Sequence, residues 1–266
     1  MTRKSSSPRP GLALATLFLL PAVASAFQPL VTDDTGTQGA KGNQVEAAYN
    51  RTVDKVSGAE AVTQEVPLVF TRGITDALDL YAGVGYQRIE PPAPGTEERG
   101  WGNPAVGAKW RFYENEASKL SFALKPEIQF PVSDSREARG LGTARSSYSV
   151  NLIMTQETGF GAVHANAVAE RVNYSDDALN AAERRSLHRL SVAPVWDVAE
   201  GWKLALDAGL ITNPDRAAKA RMGYVELGVI YSPSKDLDFA LGIVRDIMDG
   251  NARTTQVTLG VTGRFR

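Results

Sequence analysis

The stretch Leu78–Tyr86, which reads LDLYAGVGY, decides the fold because its large hydrophobic residues recur at every second position. Its two leucines and Tyr86 fall on one face of an extended strand, whereas Asp79 and the two glycines fall on the other. A helix would spread these residues around its circumference, since side chains alternate strictly between two faces only in a strand. The stretch therefore predicts a β-strand with one apolar and one polar face.

The same alternation recurs along the chain in twelve segments of about ten residues, the length of a tilted membrane-spanning strand. The connections after the even-numbered segments are short, whereas most of the others are longer and polar. This rhythm is typical of an outer-membrane barrel. We therefore predict an all-β protein, an up-and-down antiparallel transmembrane β-barrel of about twelve strands with short periplasmic turns and longer extracellular loops. The predicted segments are 43–51, 62–72, 78–88, 103–113, 120–130, 147–155, 161–173, 187–197, 202–211, 222–231, 236–245 and 254–265.

The distribution of aromatic residues separates this barrel from a soluble all-β fold, which would also alternate. Aromatic residues concentrate toward the two ends of the segments, with Leu, Val and Ala between them. A bilayer selects two such bands because aromatic rings favour its interfaces, whereas a soluble core would scatter them. Phe265 in the last segment is close to the C-terminal aromatic residue by which barrels are recognised for assembly, although Arg266 follows it. We expect outer-membrane lipid, lipopolysaccharide and the barrel-assembly machinery as partners.

Residues 1–26 have the pattern of a secretory signal peptide. Basic residues precede the apolar run Leu12–Leu20, and Ala24-Ser25-Ala26 supplies small residues for cleavage. The run is about half the ~20 residues that a membrane-spanning helix needs. We therefore predict three parts: the signal peptide 1–26, an N-terminal segment 27–42 and the barrel 43–266. The predicted location is the bacterial outer membrane after cleavage near Ala26.

The composition excludes several kinds of chemistry. The whole chain has 29 basic and 30 acidic residues, and this balance argues against a nucleic-acid partner. It has no cysteine and only two histidines, which removes disulfide scaffolds, thiolate metal sites and multi-histidine metal centres. Ser186 and His188 could belong to a lipid hydrolase, but no orienting acid is evident on their face. We predict no cofactor, no metal and no enzymatic activity.

Three motifs resemble a known outer-membrane family. The stretch 27–39 reads FQPLVTDDTGTQG and runs into KGNQVE at 41–46, while GNPAVGAKW at 102–110 and LKPEI at 124–128 come later. The chain resembles the outer-membrane transporter family of the meta-pathway of phenol degradation, whose members open with Pro-Leu-x-Thr-Asp-Asp-x-Gly-Thr-x-Gly. The resemblance implies a barrel that carries a small solute, apolar or aromatic.

Polar residues on the inward face of the predicted strands are candidates for lining the lumen. They are Glu46, Glu65, Asp79, Lys109, Arg111, Lys125, Glu127, Asn151, His164, Asn166, Glu170, Arg189, Lys203, Asp207, Glu226 and Asp238. Charges in hydrocarbon would be costly, so these residues must face water or one another. Two interpretations stay open: a polar conduit for solutes, and a closed barrel filled by ion pairs such as Lys109 or Lys125 with Glu127 and Glu170 with Arg189.

Residues 27–42 are too polar to cross a bilayer and start on the periplasmic side. Their glycines allow sharp bends, and we hypothesise that they fold into the lumen as a plug or gate. We expect Asp33 and Asp34 to pair with inward basic residues such as Arg111. A flexible leader is the alternative, and a calcium loop is a weaker one. The candidate plug residues are Thr32, Asp33, Asp34, Thr35 and Gly36.

Several charged residues fall in the predicted loops. They are Glu97, Glu98, Arg99, Arg136, Glu137 and Arg139. We expect them to form a solvated face, with contact to lipopolysaccharide as the alternative.

Overall fold

The computed structural model describes residues 28–56, 59–91, 95–247 and 252–266. The predicted signal peptide lies outside the described residues. Strands dominate, and their bounds follow the alternating segments of the sequence. The strands are β1 (Asn43–Val56), β2 (Ala59–Thr75), β3 (Leu78–Glu90), β4 (Glu98–Trp101), β5 (Ala105–Asn115), β6 (Leu120–Gln129), β7 (Ser147–Thr158), β8 (Gly161–Arg171), β9 (Ser186–Ala199), β10 (Trp202–Thr212), β11 (Arg221–Ser234), β12 (Leu237–Asp246) and β13 (Ala252–Phe265).

Each strand pairs antiparallel with its neighbours, and β1 also pairs with β13, so the sheet closes on itself. Twelve strands form the wall, and the predicted twelve-stranded up-and-down barrel is confirmed. The short β4 pairs with residues 86–89 of β3 and extends the wall beside the loop that follows β3. Alternation does not predict β4, because four residues are too few to show it.

The two ends of the barrel differ. Five tight connections lie at one end, here called the turn end, at 76–77, 116–119, 159–160, 200–201 and 235–236. The other end, here called the loop end, carries the longer loops, which include the short helices α1 (Asp134–Glu137) and α2 (Asp177–Ala182). Neither helix is long or apolar enough to cross a membrane.

The outer surface carries the large apolar side chains. Leu80, Leu152 and Leu259 expose about half of their side-chain surface on the outside of the wall. Aromatic residues concentrate near the turn end, where Trp202 stacks on Tyr231 with ring centroids 4.5 Å apart. This arrangement suits a hydrocarbon surrounding with aromatic residues at its interface.

Candidate functional site

The described part of the N-terminal segment, residues 28–42, turns back from the start of β1 into the barrel. Gly39 has a positive φ of 69°, and the amide of Lys41 donates to the carbonyl of Gly73 at 3.0 Å. A Cβ on Gly73 would lie 1.8 Å from the carbonyl oxygen of Gly39, so only glycine permits this approach. The segment therefore enters the lumen at the turn end, close against β2.

Residues 37–40 are fastened to the turn between β2 and β3. The amide of Gln38 donates to both carboxylate oxygens of Asp79, at 3.1 and 3.0 Å. The hydroxyl of Thr37 donates to the carbonyl of Asp76, and the amide of Ala40 donates to the Asp76 carboxylate. Asp79, an inward candidate from the sequence, thus holds the segment at its point of entry.

Asp33 is the electrostatic centre of the segment and is only 4% exposed. Its carboxylate oxygens lie 2.7 Å from Nζ of Lys125 on β6 and 2.9 Å from Nζ of Lys109 on β5. Its amide and carbonyl bond to the side-chain amide of Asn166 on β8, each at 2.8 Å. Burial alone would raise the pKa of Asp33, but the two ammonium groups hold that pKa below its ordinary value.

Hydroxyl groups of the wall bind the neighbouring Thr35. Its Oγ1 lies 2.6 Å from Oγ of Ser121, and its amide donates to Oγ1 of Thr155 at 3.1 Å. Thr155 also lies 2.9 Å from Nδ1 of His164. Ser121 and Thr155 are not among the candidates predicted from the sequence, because small hydroxyl residues are common on every inward face and carry no distinguishing signal.

Residues 31 and 32 bind acidic side chains on the opposite side of the lumen. The amide of Thr32 donates to Asp207 on β10 at 2.7 Å, and the Thr32 hydroxyl lies 2.7 Å from Oγ of Ser191. The amide of Val31 donates to Oε2 of Glu226 on β11 at 3.1 Å. The segment therefore crosses the lumen from β3 to β11.

The beginning of the segment rests in a cradle of inward-facing glycines. A Cβ on Gly242 would lie 2.8 Å from Cβ of Pro29, and one on Gly228 would lie 2.9 Å from its Cγ. A Cβ on Gly260 would lie 2.0 Å from Oε1 of Gln28. Side chains of ordinary size at these positions would push the segment away from β11, β12 and β13.

The other lumen candidates also face inward, and several of them bind neighbouring residues of the wall. Glu127 accepts from Tyr81 and Gln129, and Asn151 donates to Asn166. Asp238 pairs with Arg264 at 2.6 Å. Glu46 and Glu170 are buried, whereas Glu65, Arg189 and Lys203 are partly exposed.

Three expected pairings differ in the structure. Arg111 lies near the turn end, where it bonds the carbonyl of Asp76 and pairs with Glu114, so it does not meet Asp33. Lys109 and Lys125 bind Asp33 rather than Glu127, because the segment brings a carboxylate between them.

Glu170 and Arg189 both face inward on adjacent strands, yet these two described side chains make no ion pair within 4 Å. Alternation predicts the face on which a side chain lies but not the partner to which its long, flexible end reaches.

The loop residue Glu137 also departs from the sequence expectation of a solvated side chain. It is 4% exposed, and its carboxylate accepts bonds from the amides of Ala144, Ser175 and Asp176. Glu137 thereby ties the loop between β6 and β7 to the loop between β8 and β9. Arg139 pairs with Glu98 and Glu97 pairs with Arg88, all at the loop end.

The residues considered above for a hydrolase or a calcium loop make other contacts in the structure. Ser186 and His188 are exposed, and the Ser186 hydroxyl accepts a bond from Arg171. The Asp34 carboxylate caps the amide of Gly36 at 2.6 Å, as in a turn rather than a calcium loop. Within the described ranges, no group of three or more His, Asp and Glu side chains could hold a metal ion.

A cavity of about 280 Å³ remains beside the segment in the turn half of the lumen. Its lining includes Gln28, Asp34, Glu46, Lys109, Asp238 and Arg264. A cleft of about 470 Å³ at the turn end shares Gln38 and Arg264 with this cavity. The segment therefore narrows the turn half of the barrel and leaves polar space next to β1, β12 and β13.

The sequence matches the model of a known protein family. Residues 27–265 match the model of the family described as "Putative MetA-pathway of phenol degradation". The chain belongs to this family. The match covers the N-terminal segment and the whole barrel, and it confirms the family predicted from the sequence motifs. No curated protein matches the chain.

Solved structures share the fold. An outer membrane channel from Pseudomonas putida F1 has a TM-score of 0.72 at 14% identity, covering 87% of this chain and 98% of that one. The NanC porin has a TM-score of 0.56 at 11% identity, covering 82% and 98% of the two chains. The KdgM porin has a TM-score of 0.51 at 9% identity, covering 83% and 99%. At these identities the likeness concerns the fold.

Proposed function

We propose that the protein is an outer-membrane channel for passive passage of a small apolar or aromatic solute, and that residues 28–42 act as its plug. Membership of the phenol-degradation family and the apolar outer surface of the barrel support this function and location. The observation that carries the proposal is the way in which the lumen is filled. A separate segment occupies it, held by hydrogen bonds and by three ion pairs, of Asp33 with Lys109 and Lys125 and of Asp34 with Lys109.

The inner wall is shaped for an occupant. A barrel of twelve strands is wider than the eight-stranded barrels that wall side chains fill by themselves. Here Gly228, Gly242 and Gly260 face the lumen where the segment lies, so the wall leaves space that the segment takes. A barrel built only for structure would gain more by placing large side chains at these positions, since packed interiors leave few voids.

A closed structural barrel is the second candidate. The buried contacts of Asp33 with Lys109 and Lys125 favour it, because these ion pairs stabilise the filled state. The two candidates differ in one respect. A plug must be able to leave the lumen without destroying the wall, whereas a structural filling must stay.

Deletion of residues 28–40, with the signal-peptide junction kept, tests the proposal. We expect the refolded barrel to show a several-fold higher single-channel conductance in planar bilayers, because the segment crosses the lumen between β3 and β11. Cells that carry the deletion should become more sensitive to antibiotics excluded by the outer membrane. Unchanged conductance and sensitivity in a correctly assembled barrel would contradict the plug.

A reversible tether supplies the matched control. The chain has no cysteine, and Thr35 Oγ1 and Ser121 Oγ are 2.6 Å apart, so Thr35→Cys with Ser121→Cys places two thiols in reach of a disulfide. The oxidised protein should stay in the low-conductance state, and a reductant should restore the behaviour of the wild type. If the conductance is the same in the oxidised and the reduced protein, the segment does not move.

A further inference from the structure

The charges buried in the protein are strongly unbalanced. Among the described residues, eleven buried carboxylates stand against a single buried ammonium group, that of Lys125. Most of these carboxylates face the lumen, and Lys125 is already engaged by Asp33. Lys109, Arg111, Arg189 and Lys203 also face the lumen but are more exposed, so the buried groups of the wall are mainly acidic. Low-dielectric walls lined mainly by one sign of charge concentrate the opposite ion. The lumen should therefore attract cations and repel anions.

Asp207 and Glu226 are the most deeply buried members of this set, each with 0% exposure. They lie directly opposite each other on β10 and β11, which brings their Cβ atoms to about 5 Å. Among the described residues, the groups that donate hydrogen bonds to them are neutral: the amides of residues 31 and 32 and the hydroxyls of Thr32 and Tyr224. Arg189 on β9 contributes a positive field but forms no ion pair within 4 Å with either carboxylate.

One carboxylate oxygen of this pair accepts no hydrogen bond from the described residues. Oε1 of Glu226 has no hydrogen-bond partner among the described residues, and it points toward Gly242, where a Cβ would lie 2.5 Å away. A buried acceptor without a partner is costly, and a carboxylate oxygen more so than a neutral one. A positively charged group is the partner that would compensate most of this cost.

Apolar clusters flank the carboxylate pair on both sides. On the loop side, Tyr224 packs with Ile211, Met222 and Val244. On the turn side, Leu30 packs with Ala193, Val195 and Ala205. A ligand that suits this wall has a cationic group for the carboxylates and an apolar body for one of the clusters.

We infer that Asp207 and Glu226 form a recognition site for an organic cation, and that the transported solute is an apolar or aromatic molecule with a positively charged group. The inference rests on the proposed channel function. The site is shared with the plug, because the amides of Val31 and Thr32 occupy the same carboxylates. A cation brings a full positive charge that the neutral amides lack, so a bound cation competes with the segment for these carboxylates and favours its release.

Paired ions with the same aromatic ring test the inference. Proteoliposomes that contain the complete mature protein are given benzyltrimethylammonium or benzenesulfonate, whose fixed charges prevent diffusion through lipid. We expect the cation to enter at least about tenfold faster than the anion, because Asp207 and Glu226 attract the cation and repel the anion. Glu226→Gln or Asp207→Asn should each remove most of this preference.

Asp54→Asn is the matched control, because Asp54 is also a buried inward carboxylate but lies on β1 and bonds Thr254. It should keep the preference for the cation, and heat-modifiable electrophoretic mobility checks that each variant is folded.

Equal entry of both ions in the wild type overturns the inference. A preference that survives in folded Glu226→Gln and Asp207→Asn also overturns it. If the protein conducts potassium across planar bilayers while the two aromatic ions enter equally, the channel proposal stands and only this inference fails. If nothing passes even after deletion of residues 28–40, both fail.

Discussion

The two halves of the N-terminal segment are held in the lumen by different kinds of interaction. Residues 33–38 are held mainly by charge, through the ion pairs of Asp33 with Lys109 and Lys125. Residues 28–32 are held by shape and by backbone amides, through the glycine cradle and the bonds to Asp207 and Glu226. Ion pairs fail when one partner loses its charge, whereas a close steric fit fails when volume is added. The halves can therefore be released separately.

The largest effect should follow from breaking the charged half. Replacing Lys109 and Lys125 by Met leaves the Asp33 carboxylate buried without its two ammonium partners. Breaking a buried ion pair costs about 3–5 kcal/mol, which shifts the docking equilibrium by about two to four orders of magnitude. We expect the open fraction in single-channel recordings to rise steeply.

Two further variants make this result specific. Asp33→Asn added to the double variant should restore part of the closed state, since it removes the unpaired charge. Lys55→Met should behave as the wild type, because Lys55 is 60% exposed and pairs with Glu60 at the loop end. A double variant that remains closed would show that Asp33 does not hold the segment.

A smaller, local effect should follow from filling the cradle. Gly242→Val adds volume where Pro29 and Glu226 already lie within 2.8 Å of a Cβ, and overpacking costs about 1–3 kcal/mol. Gly263→Val on β13 is the control, because a Cβ there meets nothing within 4 Å. We expect a cysteine introduced at Gln28 to react with a water-soluble maleimide several-fold faster in the Gly242 variant only.

A cysteine at Thr37 sharpens the comparison, because it reports on the charged half. Its labelling rate should not change in the Gly242 variant, since the bonds of residues 37–40 to Asp76 and Asp79 remain. Equal acceleration at both positions would mean that the segment leaves as one rigid unit, and the contrast between its halves would be lost.

The smallest effect should come from mild acid. The pKa of Asp33 is lowered from its ordinary value of 3.8, so its ionised form stabilises docking above that value and the contribution is lost only as the pH falls through the lowered pKa. Conductance should thus change little between pH 7 and about pH 4.5 on account of Asp33. The measurement is a pH series on the wild type beside Asp33→Asn. A difference between them that disappears well above pH 4.5 would contradict the ion-pair geometry.

The alternation of side chains made the barrel predictable from the sequence. A strand with lipid on one face and a polar lumen on the other must alternate, so each wall strand was predicted within a few residues. The short β4, α1 and α2 were not predicted, because they lie in loops without such a constraint. The entry of residues 28–42 into the barrel could be anticipated from their polarity and glycines, although their role as a plug remains a prediction.

The contacts between side chains inside the lumen could not be predicted from the sequence. Alternation places Lys109, Lys125 and Arg111 on the same inner face but gives no distance across the barrel. Asp33 meets the two lysines because of the path that the segment takes from Gly39, and that path depends on the whole wall. Glu137 was misjudged for a related reason, since its three amide donors come from residues brought near only by the folded loops.

The pairing of β1 with β13 has a consequence for how the chain is made. These strands join residues more than 190 positions apart, from Val56 with Ala252 to Asn43 with Phe265. Until the last residues arrive, each strand presents a row of unsatisfied amides and carbonyls, which are templates for aggregation. Loop closure over such a separation is slow compared with the formation of the hairpins between. The interval between synthesis and this final joining is therefore when the chain most needs a chaperone.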